Sequence, residues 1–95
     1  MFVVTLRFST NRARAQQLMD GHNAWIQRGF DDGVFLMVGS LQPKLGGGIL
    51  AHNTSSPDLQ RRVNEDPFVV QNVVKAEILE LDLGKADERL QFLVA

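Results

Sequence analysis

The sequence predicts an α+β fold in which helices pack on one face of an antiparallel β-sheet. Apolar side chains alternate with mixed ones over Phe2–Phe8, as in a β-strand, and then recur at helical spacing along the next segment. Two further strands, a second helix and a last strand follow, so the order of elements is β-α-β-β-α-β. This is the split βαβ, or ferredoxin-like, arrangement, to which the sequence adds a short C-terminal helix.

The first helix is expected to begin after Ser9 and Thr10, which are good N-cap residues, and to reach about Arg28. Gly29 is a natural C-terminal stop. The apolar stripe of this helix consists of residues at i, i+3, i+4 and i+7 spacing: Ala15, Leu18, Met19, His22, Trp25 and Ile26. His22 therefore lies on the stripe that faces the core, where a polar side chain needs a partner.

The second strand, Val34–Val38, is apolar on both faces. A strand has this pattern when neither face meets water, yet in a sheet with helices on one side the other face should be polar. We therefore expect another subunit to cover that face, giving a homodimer, or a higher homo-oligomer, built as a dimeric α+β barrel. The glycines Gly46–Gly48 lead into the third strand, Ile49–His52, and allow a close approach of the backbone.

The second helix is expected to start with Ser56 as its N-cap and Pro57 in its first turn. Pro67 disfavours helical angles at Asp66, so the helix should end near Asn64 or Glu65.

Residues 68–72 then connect to a long last strand, about Val73–Leu83, which Gly84 ends. The segment Lys85–Val94 carries its apolar residues on one side and is expected to form a short helix.

Composition limits the classes of function. Ten Lys and Arg against eleven Asp and Glu give a net charge of −1, which provides no general attraction for nucleic acid or for an anionic membrane. The absence of cysteine excludes disulfides and thiolate catalysis, and the two histidines lack the spacing of metal ligands, so we expect no metal or cofactor. The N-terminus lacks the basic start of a signal peptide, and we expect a cytoplasmic protein.

The residues best suited to chemistry are His22 and Asp66. Asp66 lies at the end of the second helix, where its carboxylate can turn inward towards His22. An imidazole oriented by a carboxylate is the usual general base near neutral pH. Each residue also fits a structural role, His22 as a core histidine bonded to a backbone carbonyl and Asp66 as an Asx-turn residue before proline.

In combination these pieces resemble the YciI-like (YCII-related) family. The matching residues are His22, Gly29-Phe30 and Gly33, then Leu36-Met37-Val38-Gly39, then Gly48, then Asp66-Pro67-Phe68. The resemblance extends to about Leu83, so the chain is expected to be a single domain, residues 1–95, with a core of residues 1–83 and a C-terminal extension of residues 84–95.

The resemblance implies a dimeric α+β barrel, related in fold to muconolactone isomerase, that carries a His–Asp pair in a pocket beside the sheet. A few degradative relatives eliminate chloride from chlorinated hydroquinones. The implied site residues are His22 and Asp66 for catalysis and Gly39, Ser40, Gly48 and Phe68 for substrate binding. Ser40 departs from the pattern, since many members have proline there; it adds a hydroxyl to the pocket or is a plain loop residue. Phe68 fits packing as well as contact with a ligand.

Two functions therefore stay open. The first is a small enzyme of the lyase, isomerase or dehydrohalogenase type, in which His22 transfers a proton on a small molecule, such as an aromatic one, and Asp66 orients the imidazole. The second is a non-catalytic module that binds a small ligand or supports assembly on the same barrel, because a fold does not decide a function. Open space beside His22 would favour the enzyme.

Overall fold

The computed structural model describes residues 1–94 and has the predicted ferredoxin-like α+β fold. The strands are β1 (Phe2–Phe8), β2 (Phe35–Leu41), β3 (Gly46–Ala51) and β4 (Val74–Glu80). The helices are α1 (Ala15–Asp31), α2 (Ser56–Val63) and α3 (Pro67–Val70). None of the helices in this part of the chain is long and apolar enough to cross a membrane.

The sheet has the strand order β2-β3-β1-β4, and every neighbouring pair is antiparallel. β1 occupies the middle because it pairs with β3 on one side and with β4 on the other. Its alternate residues Phe2, Val4 and Leu6 are buried, so this face packs against the helices. The helices contribute Trp25, Leu59, Val63 and Phe68 to the same core.

Helix α1 begins later and ends later than the sequence predicts. The backbone N–H groups of Ser9 and Asn11 donate to the carbonyls of Val73 and Asn72, which ties the expected N-cap region to the start of β4. A 3-10 turn, Arg12–Arg14, follows before α1 starts at Ala15.

At its other end α1 runs past Gly29 to Asp31. Gly29 does not stop the helix; it is buried within it, against the ring of Phe35. The expected end of the first helix at about Arg28 was therefore wrong. Gly29 allows a close contact between α1 and β2 and does not end the helix.

The segment around Asp66 also differs from the expectation. Helix α2 has Ser55 as its N-cap, one residue before the predicted Ser56, and Ser55 Oγ accepts the Asp58 N–H at 3.2 Å. Residues 68–72, expected as a connection, begin within the short helix α3, which Asp66 caps. Four residues are too few to show helical periodicity in a sequence, so the capping residue before proline is the only local signal of this turn.

The last strand and the C-terminal segment are shorter than predicted. β4 ends at Glu80 rather than at Leu83, and the expected helix over Lys85–Val94 is a 3-10 helix, Glu88–Leu93, without buried residues. Its cap is Asp87, whose pKa is held below the usual value by hydrogen bonds from the side chain and the backbone N–H of Arg89. The segment thus lacks the buried stripe of side chains from which most helices in proteins gain their stability.

Strand β2 contains an irregularity between Phe35 and Met37 that changes which residues face the helices. Phe35 is buried on the helical side, and Val38 returns to that side opposite Ile49 of β3. Met37, opposite Leu50, faces the other way. The second face of the sheet thus carries apolar residues that no helix of the described residues 1–94 covers.

Candidate functional site

His22 and Asp66, the two residues predicted to act together, are in contact. His22 Nδ1 lies 2.8 Å from Asp66 Oδ1, although the two residues are 44 positions apart. The Asp66 side chain is 0% exposed and the His22 side chain 12% exposed. The pair therefore joins α1 to the start of α3 in a region largely shielded from water.

Asp66 is held in place by its own part of the chain. Its backbone is extended (φ −62°, ψ 123°), as expected for a residue before proline, and its side chain caps α3. Oδ1, the oxygen that contacts His22, also accepts the backbone N–H of Phe68 at 3.0 Å. The helix cap thus fixes the direction in which the carboxylate points.

The hydrogen bonding assigns the tautomer of His22. Because Asp66 Oδ1 acts as an acceptor, the bond to it requires a proton on Nδ1. In the neutral imidazole the opposite ring nitrogen, Nε2, carries a lone pair. A neutral imidazole in this state can take a proton from a ligand, and the adjacent carboxylate stabilises the imidazolium that results.

The second oxygen of Asp66 is an unusual feature. Oδ2 is buried and has no hydrogen-bond partner within residues 1–94. Leaving a buried polar group unpaired costs about 1–3 kcal/mol, and more for a charged one. Such an oxygen is rare in folded proteins, where buried polar atoms are paired with few exceptions.

Aromatic packing fixes the plane of the imidazole. The rings of His22 and Phe68 are stacked with centroids 3.9 Å apart and an interplanar angle of 2°. Trp25 lies on the same helix with its centroid 5.9 Å from that of His22, and its Nε1–H donates to the Arg62 carbonyl at 2.8 Å. Phe68 is 5% exposed, so most of its surface is used in packing.

An open cavity of about 300 Å³ lies beside His22, between α1 and the helix-facing side of β2 and β3. Its walls are mainly apolar, and its polar side chains are His22, Asn23 and Ser40. Among the described residues that line it, none is Asp, Glu, Lys or Arg. The cavity is therefore suited to a small molecule without a formal charge.

The predicted binding residues Gly39, Ser40, Gly48 and Phe68 all border this cavity, but in different ways. Ser40 pairs with Gly47, which pairs in turn with the buried Leu6, so both residues project towards the helices. Gly39 and Gly48 pair with each other on the opposite face and border the cavity only with their backbone.

Sequence reasoning missed Asn23 and Gly47 as separate cavity residues. Asn23 directly follows His22 in α1 but belongs to the polar side of the helical pattern. Gly47 was grouped with two other glycines, and only the strand register separates it from its neighbours.

His52, the other histidine, lies away from the pair. Its ring makes an edge contact with Phe92, with centroids 6.2 Å apart, and it does not line the cavity beside His22. No group of three or more His, Cys, Asp or Glu side chains in residues 1–94 is arranged to hold a metal ion.

Comparison with known proteins finds similarity in structure and not in sequence. No protein-family model and no curated protein matches the sequence. The fold is similar to that of the 5-chloro-2-hydroxyhydroquinone dehydrochlorinase TftG from Burkholderia phenoliruptrix AC1100, solved in complex with 2,5-dihydroxybenzoquinone. The TM-score is 0.69 at 12% identity, and the match covers 88% of this chain and 96% of the other. The chain therefore shares the α+β fold of this small-molecule enzyme.

Proposed function

We propose that the protein is an acid–base enzyme in which His22 transfers a proton to or from a small, uncharged ring molecule bound in the cavity beside it. Asp66 holds the imidazole in the tautomer that leaves Nε2 free for the ligand. We also propose that the chain is a YciI-like domain with a core of residues 1–83 and an extension of residues 84–95.

The observation that carries this proposal is the contact of 2.8 Å between His22 Nδ1 and a fully buried carboxylate, beside an open cavity. A histidine needed only for packing could take a backbone carbonyl as its partner. Burying a carboxylate instead is expensive, and the charge–imidazole pair supplies a general base that a carbonyl would not.

The cavity supports the choice of ligand. At about 300 Å³ it lies at the lower end of the usual range of ligand pockets, roughly 300–1,000 Å³, and so fits a single ring. Its apolar walls favour the faces of a ring, while Asn23 and Ser40 offer hydrogen bonds to hydroxyl or carbonyl oxygens. A carboxylate or phosphate on the ligand would find no Lys or Arg among the lining residues of the described chain.

The fold similarity to a dehydrochlorinase favours elimination or isomerisation. In either reaction Nε2 removes a proton from a hydroxyl or carbon of the ligand. The electrons released move into the ring, and the imidazolium returns the proton to a ring carbon. In an isomerisation this step completes the shift of a double bond. In an elimination from a hydroquinone the protonated carbon is the one that carries the halogen; loss of a second hydroxyl proton then expels the halide, and that proton leaves with the halide as the acid.

Turnover of a panel of hydroquinones, with and without a ring halogen, tests the proposal through absorbance changes and chloride release. We expect the wild-type protein to convert at least one halogenated compound and His22→Gln to be about 10²–10⁴-fold slower, the usual contribution of a general base. His52→Gln is the matched control and should keep the wild-type rate, since His52 lies outside the cavity. An unchanged rate in His22→Gln would contradict the assignment.

The same panel distinguishes the enzyme from a binding module. If compounds bind at His22 but none is converted, the cavity holds a ligand without chemistry, and the protein is a small-ligand-binding module on the same fold. Binding is followed by the NMR signals of the His22 ring, which lines the cavity and responds to a bound ligand whether or not it reacts.

A further inference from the structure

Gly47 is placed to control how much room the cavity has. It lies in the middle of three consecutive glycines in β3, directly opposite Ser40 of β2 and Leu6 of β1. Leu6 is buried under the helices, and residues paired across antiparallel strands project to the same face. The missing side chain of Gly47 would therefore project into the cavity beside His22.

We propose that Gly47 determines the size of the ligand, because its backbone forms part of the cavity floor and no side chain fills the space above it. The inference rests on the proposed function. It adds the identity of the residue that determines which ring molecules the cavity can accept. A single ring can reach the cavity floor at Gly47. A substituent on the ring that occupies this space can bind only because residue 47 has no side chain.

The surroundings of Gly47 show that its small size is not required by the fold. Apart from its chain neighbours, the one atom of residues 1–94 within 4 Å of a Cβ built on it is the Gly39 carbonyl oxygen, at 3.5 Å, which is an ordinary contact. Gly46, its neighbour, is different: it has a φ of 135°, and a Cβ there would lie 1.9 Å from the Leu6 carbonyl oxygen. Gly46 is thus needed for the backbone, whereas Gly47 leaves open space on the cavity side.

Strand chemistry supports the same conclusion. Glycine inside a strand is unfavourable, since it has no side chain to pack and loses more freedom on folding than other residues. Alanine or valine at position 47 would suit a strand better. A glycine where the backbone does not need one, at the floor of an open cavity, indicates that the space itself is used.

The test uses the variants Gly47→Ala and Gly47→Val with two probes, hydroquinone and the bulkier tert-butylhydroquinone, kept reduced under anaerobic conditions. Affinities are measured by calorimetry and by the NMR shifts of the His22 ring. We expect Gly47→Ala to weaken binding of the bulkier probe about tenfold, the lower end of the effect of one methylene group in an apolar pocket, with a smaller effect on hydroquinone. Gly47→Val should weaken both probes.

Two controls keep the result interpretable. Gly84→Ala places the same methyl where no atom of residues 1–94, its chain neighbours aside, lies within 4 Å, and it should leave both affinities unchanged. The melting temperatures of the position-47 variants should equal or exceed that of the wild type, because a strand glycine is being replaced. A large loss of stability would contradict the open space beside Gly47.

The outcomes separate this inference from the proposed function. If the wild type binds the probes and both Gly47 variants bind them equally well, Gly47 does not set the ligand size, while the proposed function stands. If the wild type binds neither probe and its His22 signals do not move, the proposed ligand class is wrong and the role of Gly47 falls with it.

Discussion

A single oxygen, Asp66 Oδ1, connects the proposed chemistry of this protein to its fold. It accepts the Phe68 N–H that starts α3 and also contacts His22 Nδ1. The sequence predicts this contact from an inward-facing histidine and a carboxylate before proline. It does not predict the cap on α3 or the stacked ring of Phe68, which together hold the two groups in one geometry.

Replacing Asp66 by Asn tests the tautomer assignment without a substrate. In asparagine one atom must again face both the Phe68 N–H and His22 Nδ1. The cap on α3 requires the amide oxygen at that position, so we expect His22 to keep the Nδ1–H form, visible in ¹⁵N NMR of the imidazole. Turnover should nevertheless fall, because a neutral amide does not stabilise the imidazolium as the carboxylate does.

The signals of His52 serve as an internal reference for this experiment, since that ring is in contact with Phe92 and not with the pair. Should His22 already show a proton on Nε2 in the wild type, the proposed role of Asp66 would be wrong.

Among the elements, the contact between α1 and β2 depends on the size of one residue. A Cβ on Gly29 would lie 2.1 Å from the Phe35 ring, far inside contact distance. Phe35 is itself packed against Trp25 and Phe30, so its ring has little freedom to move away. The position of α1, and with it that of His22, depends on this close approach.

We expect Gly29→Ala to lower the free energy of unfolding by about 1–3 kcal/mol, the usual cost of overpacking a core, despite the better helix propensity of alanine. Urea denaturation followed by circular dichroism measures the change, with Gly84→Ala as a neutral reference. Equal stability of Gly29→Ala and the wild type would show that α1 can shift at little cost.

At the level of the elements, the sequence predicts some features of the fold and not others. Period-2 and helical patterns identify the order of the elements, because burial imposes those patterns on strands and helices. Sequence patterns do not predict features that depend on contacts between distant segments of the chain. The start of α1 is one such feature. Backbone hydrogen bonds from Ser9 and Asn11 to Val73 and Asn72 hold this segment outside the helix, although Ser9 and Thr10 are good N-cap residues. The irregularity in β2 is another; it decides that Val38 and Ser40 face the cavity while Met37 does not.

At the scale of the whole molecule, the uncovered face of the sheet is the main unexplained feature. Met37, Leu50, Val3 and Leu79 form one row across all four strands, as the strand register shows. Met37 and Leu79 are 55% and 48% exposed in the single chain. A contiguous apolar row on a sheet face is typical of an interface rather than of a surface in water.

We expect the uncovered face to pack against the same face of a second copy, forming a dimer that light scattering and sedimentation detect at micromolar concentration. Met37→Lys combined with Leu79→Lys should yield a folded monomer, because both side chains are exposed in the single chain, whereas charges buried without partners at an interface cost several kcal/mol. Val70→Lys, which changes an exposed apolar residue on α3, should remain dimeric. A wild-type protein that stays monomeric at this concentration would show that the apolar row is not a self-association surface.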